Sequence, residues 1–226
     1  MKTRILLLAL ASTGIASASV IIQTKSFSFV PANTAALTFD KFDAATYGTL
    51  TSITVTTEVM KTGGSLYVDN ESDTSASGDI AQSVTINLNS TDVALLALPS
   101  GLIGANVSAI STYAATTGPD DGDGPGVQPG GVDYDGTSFG PTSTSVTQTV
   151  RPIVWSDYEG TGTYVIDVIG SQGFDASAFG GAAIQITPAS VLGNVIITYT
   201  FTSIPEPTSA LLGGLGFLAL LRRRRR

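Results

Sequence analysis

Aspartates crowd one stretch of this chain. Asp120-Asp121-Gly122-Asp123-Gly124 and Asp133-Tyr134-Asp135-Gly136 set their carboxylates in a run rich in glycine and proline. Carboxylate oxygens are hard donors, and closely spaced ones on a pliable loop suit calcium, which takes about six to eight oxygens at roughly 2.3–2.6 Å. Asp120, Asp121, Asp123, Asp133 and Asp135 are therefore candidate calcium ligands. They do not form an EF-hand: counted from Asp121, the fifth position is Pro125 and the twelfth is Val132. The competing reading is a solvated acidic loop, whose like charges repel one another unless an ion or water separates them. Calcium apart, no cofactor is expected.

A second motif invites a catalytic reading and does not sustain it. Gly136-Thr137-Ser138-Phe139-Gly140 matches the G-x-S-x-G nucleophile elbow, which needs a strand-turn-helix setting and a histidine base. The chain has no histidine, and Ser138 lies among prolines and glycines. Without histidine or cysteine, the usual zinc, copper and haem ligands and thiol nucleophiles are also missing. Paired carboxylates hydrolyse glycosides, and Asp157 with Glu159 or Asp167 with Asp175 are available, but nothing marks them above surface acids. No catalytic residue is assigned, and the chain is not expected to be an enzyme. Trp155 and the tyrosines offer a sugar-stacking platform; a lone Trp in a Val-Trp-Ser strand fits a half-buried core position better.

Composition describes what must carry these residues. From Ser19 to Glu206 the only basic residues are Lys25, Lys41, Lys61 and Arg151, against all eighteen acids, a net charge of −14. So acidic a surface argues against nucleic acid and anionic membranes as partners. The length suffices for a sizeable core without disulfide staples. Thr, Ser, Gly, Ala and Val dominate, which favours pleated strands joined by turns.

Period-two alternation marks the strands. Ile53, Val55, Thr57 and Val59 share one face, with Thr54, Thr56 and Glu58 opposite. Leu66 and Val68 follow Gly63-Gly64, a natural hairpin connection. Val84, Ile86 and Leu88 form another inward face, as do Val195, Ile197, Tyr199 and Phe201. Tyr164, Ile166 and Val168 belong to a more fully buried strand. Ser90-Thr91-Asp92 caps a short helix over Val93–Leu98, ended by Pro99, with an apolar strand as the alternative. Gly118–Pro141 is a long loop, functional or mobile, dividing one sandwich into halves.

The two ends of the chain carry addresses. Lys2 and Arg4, the apolar Ile5–Ala11 and the small-x-small Ala16-Ser17-Ala18 make a secretory signal peptide, cut after Ala18. At the other end stand Pro205-Glu206-Pro207, the apolar Ala210–Leu221, and Arg222, Arg223, Arg224, Arg225 and Arg226. The twelve apolar residues span about 18 Å as a helix. That is short against a hydrocarbon core of about 30 Å, although flanking residues lengthen it by snorkelling. The arginines would be retained on the cytoplasmic face. These three parts resemble a PEP-CTERM sorting tail. The resemblance implies export, recognition and removal of the tail by an exosortase-type membrane protease, and association with the surface and its exopolysaccharide matrix.

Leu37-Thr38-Phe39-Asp40-Lys41-Phe42-Asp43, Tyr47-Gly48-Thr49-Leu50, Tyr158-Glu159-Gly160-Thr161-Gly162-Thr163-Tyr164 and Ile196-Ile197-Thr198-Tyr199-Thr200-Phe201 resemble the choice-of-anchor E group of β-rich bacterial surface domains. That group brings no activity with it. The expected organisation is a signal peptide (1–18), an all-β ectodomain of sandwich or jelly-roll type (19–203) and a sorting tail (204–226), with a signal helix before the domain and a short hydrophobic helix after it. The expected partners are the export machinery, signal peptidase, an exosortase, exopolysaccharide and, transiently through the C-terminal helix, the inner membrane. The expected role is structural or adhesive at the cell surface or in the extracellular matrix. A carbohydrate- or calcium-binding module is the alternative, and a secreted glycoside hydrolase stands third.

Overall fold

The computed structural model describes residues 18–204, with Gly213, Gly214 and Phe217 beyond them. The signal peptide through Ser17, the Pro205-Glu206-Pro207 motif and the arginine run lie outside the described residues. In chain order the elements are β1 (Ala18–Phe29), β2 (Thr34–Asp40), α1 (Ala44–Tyr47), β3 (Gly48–Thr62), β4 (Ser65–Asp69), β5 (Ala76–Asn89), β6 (Val107–Thr117), β7 (Tyr134–Ser138), β8 (Thr142–Thr149), α2 (Trp155–Tyr158), β9 (Thr163–Asp175), β10 (Ala183–Thr187) and β11 (Ser190–Ser203). The described residues are mostly β-strand, consistent with an all-β domain, and each pair of these strands is antiparallel.

Two four-stranded sheets, ordered β1-β11-β3-β8 and β2-β9-β5-β6, share one apolar core. The alternation read from sequence supplies it. Ile53, Val55 and Val59 of β3 and Val195, Ile197 and Tyr199 of β11 meet Val84 and Ile86 of β5 and Tyr164, Ile166 and Val168 of β9. β9 is buried on one face only: Ile169 is exposed and Val165 and Asp167 are half-buried. The tyrosine hydroxyls within the core are paired, as burial requires, whereas Gln82 Oε1, fully buried on β5 between Ile80 and Val84, has no partner among the described residues. The hydroxyls of Tyr164 and Tyr199 lie 2.9 Å apart, Tyr199 donates to Asp40 O at 3.2 Å, and Tyr158 donates to Ala94 O at 3.1 Å. Burial pushes the Tyr199 phenol up to about 12 and those of Tyr158 and Tyr164 higher still.

The third sheet, β10-β4-β7, continues the first around a corner. Each of its strands adjoins in sequence a strand of the β11-β3-β8 trio. The corners fall at Gly63-Gly64, Gly140-Pro141 and Pro188-Ala189. Gly63-Gly64 therefore makes no hairpin: β3 pairs with β11 and β8, and β4 with β10 and β7. Both glycines take positive φ, 65° and 85°, and a Cβ on Gly64 would strike the buried Gln82 side chain. The small sheet closes a second core, in which Leu66 and Val68 meet Ile80, Ala115, Phe139 and Phe179. At the seam Lys61 is fully buried, donating to Gly63 O at 3.2 Å with its ammonium 4.9 Å from the Phe139 ring centroid. Desolvation lowers its pKa.

Two further expectations change. No helix covers Val93–Leu98. The cap bonds do form, Ser90 Oγ accepting from the Asp92 and Val93 amides at 3.1 and 3.2 Å. The chain beyond is claimed by bridges from Leu96 to Leu102 and from Ala97 to Val150. Long-range pairing overrides local propensity there. Trp155 opens α2 rather than lying in a strand; it packs against the main core, and its Nε1 donates to Val150 O at 3.1 Å.

Candidate functional site

The acidic residues gather where the small sheet ends. β4 runs out at Asp69, and the next residue, Asn70, ties two loops together. Its amide donates to Asp133 O at 3.0 Å, and its Nδ2 donates to Thr74 O and Gly118 O at 2.8 and 2.7 Å. Gly118 N donates to Val132 O at 2.7 Å, closing the long loop at its base, and Asp120 N donates to Ser72 O at 2.8 Å. The loop proper is shorter than its composition suggests, since β7 takes residues 134–138 into the sheet.

Four of the five candidate ligands converge. Asp120, Asp121, Asp123 and Asp133 each bring a carboxylate oxygen to within 4.8 Å of the others. Three of these carboxylates are oriented through one oxygen by a backbone amide. Asp120 Oδ1 accepts from Gly122 N at 2.8 Å, Asp121 Oδ1 from Asp123 N at 3.2 Å, and Asp133 Oδ2 from Asp121 N at 3.0 Å. Asp133 is 1% exposed, and its other oxygen, Oδ1, is buried without a partner among the described residues.

Asp135 stands apart from this group. Its carboxylate accepts from Tyr113 Oη at 3.0 Å and from the amides of Thr116 and Gly136, both at 2.7 Å, pinning β7 to β6. The bond to Asp135 pushes the Tyr113 phenol up.

Two acids outside the candidate set, Asp69 and Glu71, also reach this loop. Asp69 is 2% exposed, and its Oδ2 accepts from Gln128 N at 2.6 Å; Glu71 Oε1 accepts from Gly126 N at 2.9 Å. The Asp69-Asn70-Glu71-Ser72-Asp73 run was the available signal, a second acidic turn directly after a strand. Desolvation, then the charges of Asp121, Asp69, Asp133 and Glu71, hold the Asp123 carboxyl above its ordinary range. Lys61, the buried base, is committed to Gly63 O instead.

The other candidates find structural employment. Ser138 ends β7, its hydroxyl 3.1 Å from Tyr67 Oη. The first glycine of its motif, Gly136, is needed for close approach, because a Cβ there would strike Leu66 O and Tyr67 of β4. Asp157 Oδ2 accepts from Ala94 N at 3.1 Å. Asp167 and Asp175 lie eight residues apart on β9, about 26 Å at a strand's rise, against roughly 5–9.5 Å for a glycosidase pair. One surface groove, along β3, β8 and β11, holds the single carboxylate Glu58; another, between β6 and Phe139, holds none.

The first sheet brings together the first and last strands of the described domain. Ala18 of β1 pairs with Thr202 of β11, and Ser203 pairs with Gly48 at the start of β3. The mature N-terminus expected at Ser19 and the segment leading to the C-terminal tail therefore emerge side by side. The acidic loops lie beyond the other end of β3. No helix among the described residues is long and apolar enough to cross a membrane.

Residues 203–226 match the family model of the PEP-CTERM protein-sorting motif. The motif supports export and exosortase-type sorting to the cell surface. No curated protein matches the chain. Among solved structures, that of the infectious bursal disease virus Gx strain aligns over 92% of this chain at 12% identity and a TM-score of 0.16. This chain spans 48% of that one.

Proposed function

We propose that this is a non-enzymatic surface protein whose β-rich domain, of the choice-of-anchor E kind, serves a structural or adhesive role in the cell surface or extracellular matrix. The observation that carries the reading is the PEP-CTERM match at residues 203–226, immediately after β11. In this reading the apolar segment holds the tail transiently in the inner membrane with Arg222–Arg226 on the cytoplasmic side, as positive flanking charge favours. The exosortase then removes the tail. Signal peptidase has by then cut after Ala18, and the mature domain takes its place beside exopolysaccharide.

The geometry suits display. Ala18 and Ser203, the described residues nearest the two expected cuts, lie at one end of the first sheet, away from the acidic loops. A net charge of −14 between Ser19 and Glu206 favours solubility outside the cell. The absence of histidine and cysteine from the sequence, and the structural employment of Ser138 and Asp157, support the non-enzymatic part.

Mass spectrometry of the surface fraction tests the route. An N-terminus at Ser19 and a C-terminus at or near Pro205-Glu206-Pro207 are expected. Recovery of Phe217–Arg226 on the mature surface protein would make the tail a retained anchor and overturn the sorting step.

A further inference from the structure

The geometry points to a calcium site built by Asp120, Asp121, Asp123 and Asp133 within the Gly/Asp loop, beside the end of β4. It goes beyond the sorting route and does not depend on it. Acidic clusters are common on surfaces, and convergence alone would not distinguish this one. The distinguishing feature is Asp133. Its side chain is 1% exposed, one oxygen is held by Asp121 N, and the other is buried with no partner among the described residues. A buried carboxylate oxygen without a donor carries its full desolvation cost. A cation removes that cost.

The orphaned oxygen faces the cluster. A Cβ placed on Gly131 would strike Asp133 Oδ1 and Asp121 Oδ2 together. These two oxygens therefore flank one small gap that only glycine leaves open. Asp121 Oδ2 and Asp120 Oδ2 accept no hydrogen bond among the described residues, their companions having taken the amides. Asp123 adds a fourth, exposed carboxylate.

The ligand set selects the ion. All-carboxylate oxygens are hard donors, without the nitrogen or sulfur that zinc and copper prefer. Separations within 4.8 Å match the diameter of a calcium shell, in which ligands sit at about 2.3–2.6 Å. Magnesium holds ligands at roughly 2.0–2.1 Å in rigid octahedral geometry and gives up water reluctantly. Buried Asp69 and exposed Glu71 bind the same loop through the amides of Gln128 and Gly126, at 2.6 and 2.9 Å, and add negative charge beside it.

The test is calorimetric titration of the metal-stripped full-length chain with calcium chloride, with magnesium chloride and matched sodium chloride as controls. One calcium per chain is expected, with Kd of about 0.1–1 mM as in extracellular modules, and binding to magnesium at least about tenfold weaker. Asp133→Asn and Gly131→Ala should each weaken calcium by at least about tenfold, the latter with every carboxylate retained. Asp79→Asn, which removes an exposed charge elsewhere, should leave it unchanged. Asp123→Asn tests the site at an exposed position where misfolding is no explanation. Unaltered calcium affinity in Asp123→Asn together with Gly131→Ala would overturn the site. So would equal responses to all three salts, which would reduce the cluster to a solvated acidic loop.

Discussion

The main core and the acidic end of the small sheet treat buried polar groups in opposite ways. In the main core three buried tyrosines each place their hydroxyl on a protein oxygen. At the acidic end two nearly inaccessible carboxylates, Asp69 and Asp133, sit among further acids, and one oxygen of Asp133 has no donor among the described residues. The first arrangement is complete as the chain alone makes it. The second would be completed by the proposed cation. If the proposed calcium site fills outside the cell, the ion would rigidify the far end of the domain and leave the main core alone.

Perturbing the scaffold should produce the largest effect. Ile166→Ala, at a fully buried site in the main core, should cost about 3 kcal/mol in chemical denaturation. The loss should be the same with and without calcium. Gly136→Ala forces a methyl into the backbone of β4 and should cost about 2 kcal/mol. That loss should fall on the small sheet, so calcium binding should weaken with it, unlike in Ile166→Ala.

Strand faces were legible because alternation is local. Ile53 through Val59, Val84 through Leu88 and Val195 through Phe201 place their apolar members inward as their spacing requires. Which strand pairs with which was not legible. Gly63-Gly64 is flanked by alternating residues whether it makes a hairpin or a corner, and the decision belongs to β11, more than a hundred residues away. The same limit explains Val93–Leu98, whose cap bonds form while distant Val150 takes the backbone. In the candidate site, aspartate density located the cluster but not its membership. Asp135 is drawn to β6 by Tyr113 and Thr116, and Asp69 enters from another strand.

A smaller effect separates the cores by pH. The phenols of Tyr164 and Tyr199 ionise later in the folded state than in the unfolded chain, whose tyrosines titrate near pH 10. Above that pH the unfolded state binds fewer protons, so stability falls as pH rises from about 10 to 12. Tyr164→Phe should cost about 1 kcal/mol at pH 7 and flatten this alkaline decline in denaturant titrations.

The smallest effect is at the seam. The Lys61 pKa is lowered by burial, so from its folded value up to about 10.5 the unfolded state binds more protons and stability rises with pH. Lys61→Met should remove that rise while changing stability at pH 7 by less than about 1.5 kcal/mol. A steeper rise in the variant would mean that Lys61 is not the group responsible.

Amide hydrogen exchange on the full-length chain, with and without millimolar calcium, tests the contrast most directly. Calcium should slow exchange at residues 118–133 and 70–74 and leave Val55, Ile166 and Ile197 unchanged, because binding stabilises only the openings that break the site. Protection that rises equally in both regions, or in neither, would contradict it.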